Sequence, residues 1–300
     1  MRALVTGASG FLGSALCRHL LRKGHTVTAL VRPDSPRRDH VPGGAELREC
    51  ELARLAEFAG EFDVLFHLAW NGSAGQERED FALQLSNAAF MGEAVRMASR
   101  CGCSRIVFAG SQAEYGVVRG RCTEETAPHP FMMYGAAKLA AGHMGTVLAR
   151  HLGLRFVWAR IYSVYGPGEN PGTLLSYVRE CLRNGETPRL SPCENMWDFM
   201  HVDDCAEALH LLGTHPQAEG IYNVSAGRPR LLKEFVKELR DHLAPDAALD
   251  FGARQSDPDR TFWLEPDVSK LQSLGFRTGQ KEQLFFELFT TIRQLGECHV

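Results

Sequence analysis

The chain has 300 residues, enough for one large or two ordinary domains with a substantial core. Apolar residues make up 44% and charged residues 23%, with a net charge of -3. That balance is globular and excludes a global electrostatic attraction to nucleic acid or an anionic membrane.

No apolar run is long enough to span a bilayer. Met1 to Gly7 is too short an apolar stretch for an export signal before glycines interrupt it. The nine scattered cysteines are therefore expected to be reduced thiols in a cytoplasmic protein. Cys101-Gly102-Cys103 lacks a second cysteine pair or a histidine pair, so no metal site is expected.

The first element is a short buried strand, Ala3-Leu4-Val5-Thr6. Thr6-Gly7-Ala8-Ser9-Gly10-Phe11-Leu12-Gly13 follows it directly and opens a helix running from Phe11 to Arg22, which stops at Gly24. Gly7, Gly10 and Gly13 have the spacing of a dinucleotide fingerprint. Such glycines give a tight turn, a close backbone approach to a pyrophosphate and close helix–strand packing. The free N–H groups at Phe11, Leu12 and Gly13 would face the phosphates.

Thr26 to Val31 is a second strand. An NAD site usually places a carboxylate at its end. Here Val31 holds that position and Arg32 follows. A guanidinium suits a 2′-phosphate, which favours NADP(H), with NAD possible; alternatively Arg32 is a solvated residue leaving the sheet. Ala45 to Leu47 reads as a third strand and Asp63 to Ala69 as a fourth. Phe81 to Arg100 reads as a helix with Phe81, Leu85, Ala88, Ala89 and Val95 on its apolar stripe. Arg105 to Ala109 and Phe156 to Ala159 complete the strands of this half. Short, continuously apolar strands separated by helices predict an α/β fold with a Rossmann-type, doubly wound parallel sheet.

Between the last two strands lies Tyr134-Gly135-Ala136-Ala137-Lys138. In a helix, positions i and i+4 share one face. A lysine charge about 4 Å away, at an effective dielectric of about 20, is worth about 4 kcal/mol. That would bring the phenol down by about three units, into the range of a useful acid or base.

The pattern changes after Tyr165-Gly166-Pro167-Gly168. Leu174 to Leu182 is helical, Asp198 to Val202 extended, and Asp203-Asp204 is placed to cap a helix from Cys205 to Leu212. Ile221 to Val224 reads as a strand, and Leu231 to Leu243 as an amphipathic helix. Residues 1–165 are expected to form the dinucleotide-binding domain, with 196–226 returning to it. Residues 166–195 and 227–300 would form a smaller mixed α/β substrate lobe.

The glycine turn, Ser111 and Tyr134-x-x-x-Lys138, in this order, resemble the extended short-chain dehydrogenase/reductase superfamily. Within it the chain is similar to the nucleotide-sugar epimerases, dehydratases and 4-ketoreductases. His67-Leu68-Ala69, Ser111 to Gly116, Arg160 to Pro167, Trp197 to Asp204 and Asp267 to Lys270 with Leu274-Gly275-Phe276 carry the resemblance.

The resemblance implies Tyr134 as general acid/base, Lys138 on the nicotinamide ribose, and Ser111 on the same substrate oxygen. It adds Glu51, Leu52, Leu68, Ala69 and Tyr162 on the cofactor side, and Ser163, Thr173 and Leu174 on the substrate side. Trp70 and Asn71 either line the substrate cleft or cover the end of the strand.

Three departures narrow the reaction. The dehydratases' Asp-Glu pair is Gln112-Ala113 here, which disfavours dehydration and leaves Gln112 a substrate contact; Glu114 is expected to point elsewhere. The family asparagine at the sugar diphosphate is Ser163, and the family arginine there is Trp197. Arg189, Arg254 and Arg260 are then candidates for the diphosphate. The Val31-Arg32 reading makes NADPH-dependent reduction of a 4-keto nucleotide sugar the leading expectation, and the downstream layout also resembles CDP-abequose synthase-type 4-ketoreductases. An NAD-dependent nucleotide-sugar epimerase is the alternative. Reduction of a smaller ketone, or a non-catalytic NADP(H) sensor, is a weaker fit. Family members commonly dimerise through the helix carrying Tyr-x-x-x-Lys and the helix before it. A homodimer through Phe81 to Arg100 and Tyr134 to His151 is therefore expected.

Overall fold

The computed structural model of the protein describes residues 1–255 and 262–279. The first half alternates β1 (Arg2–Thr6), α1 (Phe11–Arg22), β2 (Thr26–Val31), β3 (Glu46–Glu49), β4 (Val64–His67), α2 (Phe81–Arg100), β5 (Arg105–Ser111), α3 (Met133–His151) and β6 (Arg155–Ile161). It continues through β7 (Ser163–Tyr165), α4 (Leu174–Arg183), β8 (Arg189–Leu190), β9 (Met196–Trp197) and β10 (Phe199–His201) to α5 (Val202–Thr214). Then come β11 (Gly220–Val224), β12 (Arg230–Leu231), α6 (Leu232–Leu243), β13 (Asp250–Phe251) and α7 (Ser269–Ser273).

Seven strands form one sheet in the order β11-β6-β5-β4-β1-β2-β3. Every pairing in it is parallel. The strands are apolar on both sides because both faces are covered. Ala3, Val5, Val27, Ala29, Phe66 and Val107 look toward α1 and α5. Leu4, Leu30, Leu65, Ile106, Phe108 and Trp158, which alternate with such residues along the strands, look toward α2 and α3. β1 and β4 are adjacent at the sheet's centre, where the strand order reverses. Ligands of such sheets bind beyond the strand ends at this crevice.

Between α1, α5 and the start of β2, His210 hydrogen-bonds His19 at 3.1 Å and His25 at 2.9 Å. Burial pushes His19 and His210 down to about 4, so both are neutral at pH 7.

Outside the sheet, Leu175, Val178 and Leu182 of α4 pack on Phe235, Val236 and Leu239 of α6, with Tyr165, Leu190 and Cys193. Two local expectations are corrected. Phe81 (66% exposed) and Leu85 (58%) leave the core, as does Ala89; α2 instead buries Ala88, Met91, Ala94, Val95 and Ala98. The cap of α5 is His201, whose ring accepts from the Asp203 amide at 3.2 Å; Asp203 and Asp204 lie in the first turn, where their charge still suits the helix dipole. No described helix is long and apolar enough to cross a membrane.

Candidate active site

The glycine turn lies at the mouth of the central crevice. Gly7 has φ +66°, a left-handed conformation, and a Cβ there would come within 2.8 Å of the Ala69 backbone nitrogen. A Cβ at Gly13 would overlap the Gly7 carbonyl oxygen. The ends of β1 and β4 thus close on each other, and α1 begins directly against the turn. Gly10 caps α1 without a side chain, leaving the first-turn amides of Phe11, Leu12 and Gly13 facing the turn. Thr6 Oγ1 ties the two strand ends, hydrogen-bonding His67 Nδ1 at 2.9 Å and accepting from the Ala69 amide at 3.4 Å. This backbone cradle and free helix N-terminus fit a dinucleotide pyrophosphate.

At the edge of the cradle the Ser9 and Ser35 hydroxyls hydrogen-bond at 2.8 Å. Arg32, three residues before Ser35, is exposed, and its carbonyl accepts from the Ser35 amide at 3.1 Å. Glu51 precedes the 3-10 turn 52–57, which begins at Leu52.

β5 ends at Ser111, whose Oγ accepts from the Ala113 amide at 3.2 Å. The turn 112–114 then meets the start of α3. Gly135 permits this: a Cβ there would overlap the Ala113 carbonyl oxygen. The contact brings Tyr134, in the first turn of α3, up to Ser111, near enough for the serine to favour the ionised phenol. Lys138, one turn on, is buried, and its Nζ donates to the Ala109 carbonyl at 2.7 Å. It also sits 3.7 Å from the centre of the Trp70 ring. Ser111, Tyr134, Lys138 and Trp70 therefore share one site.

The electrostatics differ from a direct Tyr134–Lys138 pairing. Nζ of Lys138 lies 5.7 Å from the centre of the Tyr134 ring and is turned to Ala109. Burial raises the Tyr134 phenol, outweighing the lowering by the Ser111 hydrogen bond and by the charge of Arg78. Burial also pushes Lys138 down to about 7, against the pull of Glu114. Helical spacing put both groups on one face, but it could not show that the lysine charge would be spent on a strand carbonyl.

Two further residues frame the site, and sequence reasoning marked only one of them. Arg78, from the 3-10 turn 75–79 before α2, lies 4.6 Å over the Tyr134 ring. Nothing periodic in that segment marks it. Glu114 is buried behind Ser111, accepting from the Ser111 amide at 2.7 Å, Trp158 Nε1 at 2.9 Å and Arg160 Nε at 2.7 Å. It avoids the reacting position, as expected, but frames it.

The other substrate-side candidates are spread more widely. Trp70 Nε1 donates to Gln84 at 2.9 Å, and the Asn71 amide to Asn87 at 2.9 Å. Trp70 lies edge-on to Tyr134, 6.2 Å between centres, so it covers the strand end and borders the site at once. Gln112 Oε1 is buried with no hydrogen-bond partner among the described residues. Tyr162 packs with Tyr115, Cys122 and Leu264, and Trp197 leans on the same cluster. Ser163 opens β7 and pairs with Phe199. Thr173 caps α4, its hydroxyl accepting from the Ser176 amide at 3.3 Å, and Leu174 is the first helical residue. Arg189 and Arg254 meet around Tyr177: the Arg189 amide donates to its hydroxyl at 3.1 Å, and the Arg254 guanidinium is 4.7 Å from its ring centre. Arg260 lies outside the described residues. Among those residues no group of histidine, cysteine or acidic side chains could hold a metal ion.

A doubly wound sheet with a glycine cradle at its switch point, and a serine, tyrosine and lysine gathered beside it, defines an NAD(P)-dependent enzyme of the extended short-chain dehydrogenase/reductase type. Residues 3–225 match the NAD dependent epimerase/dehydratase family, and the chain belongs to that family. The UDP-glucose 4-epimerase of Streptomyces lividans is 30% identical over 268 residues, covering 79% of each chain. The uncharacterized UDP-glucose epimerase YtcB of Bacillus subtilis (strain 168) is 25% identical over 297 residues, covering 91% of this chain and 92% of that protein. Among solved structures, MoeE5 in complex with UDP-glucose and NAD superposes with a TM-score of 0.84 at 27% identity, covering 98% of this chain and 100% of MoeE5. The UDP-glucose 4-epimerase of Thermus thermophilus in complex with NAD gives 0.80 at 27% identity, covering 95% of this chain and 97% of that one.

Proposed function

We propose that the protein is an NAD-dependent epimerase of a uridine diphosphate sugar. The observation that carries this reading is the convergence of Ser111, Tyr134 and Lys138 beside the glycine cradle. The names of the relatives support the epimerase over the reductase expected from the sequence. Bound NAD supplies reversible hydride acceptance. Tyr134 takes the proton from the sugar hydroxyl and returns it. Ser111 holds the same oxygen, and Lys138 holds the nicotinamide ribose. Gly7, Gly10, Phe11, Leu12 and Gly13 bind the pyrophosphate through backbone groups. Trp70, Asn71 and Gln112 line the sugar side, with Ser163, Thr173, Leu174 and Trp197 further out. Trp197 offers stacking in place of a cation, and Arg189 and Arg254 are the candidates for the diphosphate.

Val31-Arg32 favours a second reading, the NADPH-dependent 4-ketoreductase: β2 ends in Val31 rather than an acidic residue, and Arg32 after it is exposed. One experiment separates the two. The purified protein is assayed for bound nucleotide, then given UDP-glucose, and separately a 4-keto nucleotide sugar with NADPH. Retained NAD and interconversion of the UDP-sugar, with no net nucleotide consumption, is expected. Stoichiometric NADPH oxidation with the keto sugar would reverse the assignment.

The reading includes a homodimer through α2 and α3. Its support is the exposure of Phe81, Leu85, Met144 and Val147 on these two helices.

A further inference from the structure

We propose that Arg78 is a positioning residue for proton transfer at Tyr134: its guanidinium, stacked on the ring, stabilises the phenolate. This rests on the reading of Tyr134 as the acid/base. The guanidinium carbon is 4.6 Å from the ring centre, nearer than the 5.7 Å of Lys138 Nζ. Arg78 Nε is buried and has no hydrogen-bond partner among the described residues. No ion pair or hydrogen bond within that set engages Arg78, so its charge is not spent on a carboxylate. Lys138, by contrast, donates to the Ala109 carbonyl and lies against the face of Trp70.

The surroundings of the phenol support the assignment. From the β5 side Tyr134 meets Ser111 and, behind it, Glu114, whose charge opposes ionisation. Glu114 is itself paired with Arg160 at 2.7 Å. From its own helix it meets Lys138. From the 3-10 turn it meets Arg78 and, at the base of α3, Glu79, which accepts from the Met133 amide at 3.2 Å. His67, beyond Lys138, is held neutral by burial. Among the described residues Arg78 is the cation closest to the ring, with no acidic partner drawing it away. The Glu79 contact anchors its turn to α3, so the stacking geometry follows the helix that carries the tyrosine. Among the described residues, then, the tyrosine is tuned by a segment outside its own helix.

The test follows Tyr134 itself. With ring-labelled tyrosine, Tyr134→Phe identifies one of the six tyrosine Cζ signals, and its shift is titrated against pH in the full chain. Arg78→Met should raise the midpoint by about one unit, a tenfold loss of phenolate at a given pH. Arg78→Lys should recover part of that shift. Arg78→Gln, which keeps a polar side chain in the turn, should match the Met variant. An unmoved midpoint in both neutral variants would overturn the proposal, as would a larger shift in Lys138→Met. Because no substrate is used, a failed epimerase assay leaves this outcome readable.

Discussion

Glu114 is the residue on which the geometry behind Ser111 converges. Its carboxylate accepts from the Ser111 amide, the Trp158 indole and the Arg160 guanidinium, and both members of the ion pair are almost wholly buried. Arg160 in turn lies 4.3 Å over the Tyr115 ring. Removing one partner of such a pair leaves an uncompensated buried charge and costs about 3–5 kcal/mol. Glu114→Ala is therefore expected to lower unfolding stability in urea by that amount. Glu114→Met with Arg160→Met should recover most of it, because the desolvation of both charges disappears. A loss below about 1 kcal/mol in the single variant would show that the pair does not hold the turn. The glutamate was plain in the sequence beside Tyr115-Gly116. Its partner lies 46 residues away on the next strand, and no local spacing connects the two.

At the scale of elements, α3 matters because it delivers two site residues through one close contact. Gly135 lets the first turn of the helix touch the Ala113 carbonyl. Alanine there improves helix propensity by about 1 kcal/mol, but forcing a methyl against fixed backbone costs about 1–3 kcal/mol. Gly135→Ala should thus lose about 1 kcal/mol net in denaturant unfolding. It should also slow turnover more than it weakens nucleotide binding, since the cradle sits on α1. Unchanged stability and unchanged kcat together would mean that the contact is not tight.

Most of these elements were legible in sequence order, because buried parallel strands are short apolar runs and α1, α4 and α6 carry clear stripes. The side of α2 was not. Its apolar residues run around more than one face, and the angle at which the sheet receives it decides that Met91, Ala94 and Ala98 go in while Phe81 and Leu85 stay out. The turn bearing Arg78 was equally silent, having neither period nor motif. The glycine cradle and the Ser111–Tyr134–Lys138 set were legible as motifs. The direction of Lys138 toward Ala109 was not, since it depends on where β5 passes the helix.

For the molecule as a whole, the exposed side of α2 and α3 needs an explanation. Phe81 and Leu85 are one turn apart on α2, and Met144 (50% exposed) and Val147 (54%) are three apart on α3, so each pair lies on one side of its helix. The two helices belong to the same cover of the sheet, their inner sides closing over Phe108, Phe156 and Trp158. Five large apolar side chains left outside on one helix pair, these four with Met133 (43% exposed), support the proposed interaction surface over scattered exposure. A two-fold pairing would set the same patch against itself and bury both copies. Tyr134 lies in the first turn of α3, so such a seam would also steady the helix that carries the proposed acid/base. The proposed homodimer should scatter light with twice the 33.3 kDa chain mass. Val147→Glu, which sets like charges against each other near the seam, should yield a folded monomer with an unchanged circular dichroism spectrum. A wild-type protein that remains at the mass of one chain at micromolar concentration would leave this apolar face without a second copy to cover it.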